Sequence, residues 1–151
     1  MGFVPRMAGV IGVAIVSVGL AVSGASGQEP PQPQAVQIPA TATALEGLPA
    51  VRVDSAEGVT TRRVLGEAEA AKSRLRVSVI DGQYYWTSRE NRLLRLNASG
   101  AFTYLSSEPG QYIRFTRLHD RIAYVEHVDL GFGSVTWWGE LRIVPGGRPG
   151  Q

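Results

Sequence analysis

Three textures of hydrophobicity follow one another along this 151-residue chain. Met7 to Val22 is almost continuously apolar, Gln28 to Ala50 shows no period at all, and from Leu75 to Val144 apolar and polar residues alternate. Alternation with period two is the mark of strands that bury one face. Leu75–Ile80 alternates, Asp81-Gly82 follows as a hairpin turn, and Gln83–Ser88 returns. Leu93–Leu96, Ala101–Ser106, Gln111–Leu118, Arg121–Leu130 and Ser134–Val144 continue the pattern, separated by Asn97–Gly100, Glu108–Gly110, His119-Asp120 and Gly131–Gly133. Seven short strands with tight turns predict an all-β antiparallel meander, closed as a barrel or folded as a small sandwich. One short helix precedes them. Val64–Ser73 contains Glu67-Ala-Glu-Ala-Ala-Lys72, with its acids early and its lysine late as the helix dipole prefers.

Turn chemistry then sorts the side chains. A two-residue Asp81-Gly82 loop pairs Ile80 with Gln83, Val79 with Tyr84, Ser78 with Tyr85 and Val77 with Trp86. Val77, Val79, Tyr84 and Trp86 thus share an apolar face, and Tyr85 lies on the other. A four-residue loop at Ser107–Gly110 would pair Phe102 with Phe115 and Tyr104 with Ile113 inside, with Thr103 and Arg114 outside. In the last strand Val135, Trp137, Leu141 and Ile143 have one parity, while Thr136, Trp138, Glu140 and Arg142 have the other. The expected core therefore holds Trp86, Trp137, Phe102, Phe115, Val77 and Val79.

The irregular N-terminal third reads differently. Met1–Arg6 is a short basic start, the apolar run follows, and Ser23–Gly27 supplies the small residues of a cleavage site. Residues 1–27 are expected to be a signal peptide, the protein to be periplasmic or secreted, and any membrane attachment to come only through an uncleaved signal segment. Residues 28–50 hold five prolines, four glutamines and no aromatic, which predicts a disordered linker. The β domain is expected over 51–144, with a disordered tail at 145–151.

Composition removes several classes of chemistry. Cysteine is absent, so disulfides, thiolate metal sites and a Cys nucleophile are excluded, and two histidines do not make a His-rich metal centre. Net charge is +2, with acids and arginines interleaved, which speaks against nucleic acid as a partner. No cofactor is implied. His119-Asp120 reads as a turn, and Gly131-Phe-Gly-Ser134 lacks the length and following helix of a phosphate loop.

Two candidate sites remain. Alternation in Arg121–Leu130 puts Glu126 on the core face, where burial would raise its pKa toward that of an acid–base group. Tyr85 and Trp138 are the large aromatics that do not fit the inner face, and with Glu140 and Arg142 they form a candidate ligand-binding set. The sequence thus reads as an exported binding module of a bacterial-type cell envelope, taking an envelope protein or glycan. A small secreted hydrolase using Glu126 is the alternative.

Overall fold

The computed structural model describes residues 32–146. The expected signal peptide lies outside them. Nine strands and one helix follow in chain order: β1 Ala42–Ala56, β2 Val59–Val64, α1 Glu67–Lys72, β3 Leu75–Ile80, β4 Gln83–Trp86, β5 Arg92–Ser99, β6 Phe102–Glu108, β7 Gln111–Leu118, β8 Arg121–Asp129 and β9 Gly133–Pro145. All neighbouring pairs are antiparallel, and β1 pairs with β9, so eight strands close into a barrel and β2 is added outside the ring. The all-β expectation holds, and its open choice between barrel and sandwich resolves to a barrel.

The Asp81-Gly82 turn acts as its chemistry predicts. Both residues have positive φ, and Ile80 pairs with Gln83, Val79 with Tyr84 and Ser78 with Tyr85. The parity of β9 also holds, with Val135, Trp137 and Leu141 buried and Trp138, Glu140 and Arg142 exposed. Trp86, Leu45, Leu75, Val77, Leu94, Leu105, Ile113, Phe115, Tyr124 and Leu141 fill the barrel.

Three expectations are corrected. The first concerns 28–50, which is not linker throughout: β1 begins at Ala42 and Leu45 is fully buried. Val36 joins the core, its N–H donating to Thr103 Oγ1 at 3.0 Å and its carbonyl accepting from the same hydroxyl at 2.8 Å. Pro49 is accommodated because the β1–β9 register shifts between it and Val51, a bulge where a missing N–H costs no ladder bond. Gly47 is needed there too, since a Cβ would come within 2.7 Å of the Tyr124 ring. Likewise Pro145 ends β9 and Gly146 donates to Thr41 O, so the expected tail does not start at 145.

The second correction is the β6–β7 register. Glu108 pairs with Gln111 around a two-residue turn, and Ser107 is an extra residue in β6. The bulge slides the strand by one, so Thr103 faces Phe115 and Leu105 faces Ile113. Phe102 and Tyr104 consequently leave the core, and Arg114 stacks over the Phe102 ring at 4.8 Å. Val79, near its turn, is only half-buried.

The third is smaller. The expected helix over Val64–Ser73 shrinks to Glu67–Lys72, because Val64 pairs with Val51 as the end of β2.

Candidate functional site

Alternation in β8 carries Glu126 inward, as expected, and register places it between Ile113 on β7 and Trp137 on β9. Its side chain is 0% exposed. Trp86 Nε1–H donates to Oε1 at 3.2 Å, and Arg89 Nη2 reaches the same oxygen at 3.0 Å. Oε2 is buried with no hydrogen-bond partner among the described residues. Burial pushes the carboxyl up to about 7, against the opposing pull of the Arg89 charge and the Trp86 hydrogen bond. The neighbouring Tyr124 phenol is pushed up as well, first by burial and then by the Glu126 charge.

Arg89 comes from the β4–β5 loop and lies 4.6 Å over the Trp137 ring, with Arg52 at 5.5 Å from that ring. This cluster seals one mouth of the barrel. A carboxylate so enclosed has the perturbed pKa of an acid–base group but no path to a substrate.

The outer set behaves differently. Trp138, Glu140 and Arg142 project from β9 beside Val51, Leu48 and Glu46 of β1. Trp138 is 37% exposed and Leu48 50%. Where the bulge displaces β1, a groove of 530 Å³ opens along the seam, lined by Glu46, Leu48, Pro49, Arg74, Glu140 and Arg142 among others. Arg142 Nη2 meets Glu46 at 2.5 Å, and Arg121 ties Glu140 at 3.0 Å. The Arg142 hydrogen bond holds Glu46 below the usual carboxylate range against the opposing effect of burial, and the charges of Arg142, Arg74 and Arg76 act in the same direction. Three guanidiniums thus surround one carboxylate.

Trp138 stands next along β9, on the same face as Glu140, at the end of this groove. Three of the four expected ligand-binding residues are therefore together. Tyr85 is not with them. It pairs with Ser78, which pairs with Ala44, whose β9 partner is Val144, six positions beyond Trp138. That is about 20 Å along the strand and three strands around the wall. Its hydroxyl donates to Gln83 at 2.6 Å instead. Leu48, Glu46 and Arg74 were missed from sequence: the first two fall in the stretch expected as linker, and Arg74 carries no motif.

The remaining candidates are structural. His119 has positive φ in the β7–β8 turn, and His127 stacks on Tyr112 at 5.2 Å while bonded to Thr136 at 2.8 Å. Among the described residues no cluster of metal-ligating side chains occurs. No family model matches the chain, and neither the curated proteins nor the solved structures contain a significant match to it.

Proposed function

We propose that the chain is an exported binding module of a bacterial-type cell envelope, which holds an envelope protein or glycan along the outer β1–β9 seam. The observation that carries this reading is the 530 Å³ groove at the β1 bulge. Ligand sites run at about 300–1,000 Å³ and combine apolar walls with a few placed polar groups. Leu48, Pro49 and Leu141 supply the apolar part, Arg74 and Arg142 the polar part, and Trp138 a ring for stacking at one end. The barrel interior is filled by side chains, which favours recognition on the outside. Residues 1–27, with their basic start, apolar run and small-residue exit, support export. The hydrolase reading gains no such support, because Glu126 meets no solvent.

Trp138 makes the test direct. It is the exposed member of three tryptophans, the others being 0% and 8% accessible, so its emission reports on this face. Envelope glycan fragments and purified envelope proteins are titrated while emission is read. Binding should weaken at least tenfold in Leu48→Asp and in Trp138→Ala, with the melting temperature nearly unchanged. Equal affinity in both variants and the parent would reject the groove as the site.

A further inference from the structure

The charged closure of the barrel at Glu126 has a moving part that the outer groove does not use. Arg89 sits in the short loop between Trp86 and Arg92, followed by Glu90 and Asn91, which both have positive φ. Its guanidinium is 28% exposed and is the one charged group in direct contact with Glu126. The loop is otherwise fastened by a few bonds at its ends, Ser88 N to Arg76 O, Arg89 N to Trp86 O and Arg92 N to Arg89 O. We infer that the Arg89–Glu126 pair is a proton-operated latch. With Glu126 charged, Arg89 holds the 87–91 loop across the barrel mouth; with Glu126 neutral, the guanidinium is released and the loop swings toward solvent.

The surroundings leave Glu126 as the group that titrates. On its own strand, the buried Tyr124 phenol is pushed upward and stays neutral, while His127 points to the opposite face. β7 contributes Ile113 and β4 contributes Trp86, neither of which ionises. From β1, Arg52 approaches only across the Trp137 ring of β9 and is committed to Asp54, whose carboxylate it holds at 3.0 Å from Nε. Its hydrogen bond keeps Asp54 below the usual carboxylate range. Arg63 also approaches Asp54, at 3.6 Å, and Glu90 of the loop is engaged by Arg92 at 3.1 Å. Arg89 remains protonated throughout. Burial places the change of Glu126 near pH 7, within reach of ordinary acidification.

Neutralising Glu126 has two effects of opposite direction. It removes a buried charge, so the barrel as a whole gains stability as pH falls. It also removes the partner of a cation, so the loop loses its hold. A purely structural ion pair that breaks only with the fold would not separate these readouts.

The experiment is amide hydrogen exchange of the purified full chain from pH 5 to 8.5, corrected for intrinsic exchange rates, alongside thermal melts. Amides 88, 89 and 92 should lose at least fivefold in protection on acidification, with a midpoint near 7, while protection of β8 holds or rises. Glu126→Gln should show the low-pH loop behaviour at every pH. Arg89→Gln leaves the carboxylate in place, serves if that variant does not fold, and should likewise flatten the profile. Loop protection that is independent of pH in the parent, or pH dependence that survives in Glu126→Gln, would overturn the latch; the latter result would assign the effect to a histidine.

Discussion

The two mouths of this barrel are closed by different physics. At one, the segment before β1 lays Val36 into the core and Ile38 against it, and every polar group that this brings inside is bonded to Thr103, Thr116 or Arg117. At the other, Glu126, Arg89, Trp86 and Trp137 form a charged and aromatic seal in which Glu126 Oε2 and Trp137 Nε1 are left without partners. Apolar closure with satisfied hydrogen bonds holds at any pH. Closure through a buried carboxylate depends on its proton, and each unbonded polar atom subtracts from its strength. The difference teaches that one barrel can have a permanent end and a conditional end.

The largest expected effect is at the charged mouth. Trp137→Ala removes the ring under both Arg89 and Arg52 and should cost ~3–5 kcal/mol by denaturant unfolding. A loss below ~1 kcal/mol would mean the seal does not rest on that indole.

Next comes the pH profile. Glu126 is raised from 4.5 to about 7 in the folded state. Its protonated form therefore adds stability that is complete below the unfolded value of 4.5 and is lost as pH rises through about 7. The change amounts to about 3 kcal/mol at ~1.4 kcal/mol per pKa unit. Unfolding free energies measured across this window should slope downward with rising pH in the parent and flatten in Glu126→Gln. A parent profile as flat as the variant's would erase the contrast between the two ends.

At the apolar mouth, Thr103→Val strands the N–H and carbonyl of Val36, which should cost ~1–3 kcal/mol and do so equally at pH 5 and pH 8. Any pH dependence in that cost would show the ends to be coupled. The smallest effect belongs to the outer wall. Trp138→Ala should change stability by less than ~1 kcal/mol, and a loss equal to that of Trp137→Ala would make Trp138 a packing residue and remove it from the groove's work.

Much of this was legible where short-range chemistry decides the outcome. The Asp81-Gly82 turn set the β3–β4 register, the parity of β9 separated Trp137 from Trp138, and alternation alone sent Glu126 inward. What escaped depended on partners distant in sequence. β1 is poor in strand formers and carries Gly47 and Pro49, and it is a strand because β3 and β9 lie on either side of it. The Ser107 bulge leaves no trace in composition, yet it moves Phe102 out of the core and Thr103 in. The groove was half visible, since Glu140 and Arg142 follow from parity while Leu48 and Arg74 follow only from the bulge. Nothing in the sequence pairs Glu126 with Arg89, because a loop supplies the cation.

The pairing of β1 with β9 also governs when the molecule can come into being. Thr43 donates to the carbonyl of Val144 across a separation of 101 residues, and Ala42 faces Pro145. Hairpins from β3 to β8 need only neighbours in sequence, but the ring shuts when its most distant strands meet. Joining ends so far apart is slow, because loop entropy must be overcome before any contact rewards it. Until β9 is in place, β1 and β8 each lack the neighbour that closes the ring, and a chain stopped before Gly133 would remain an open sheet with adhesive borders. Folding is therefore deferred to the moment the whole strand set is present, which keeps the chain in a form that can still be threaded through a pore.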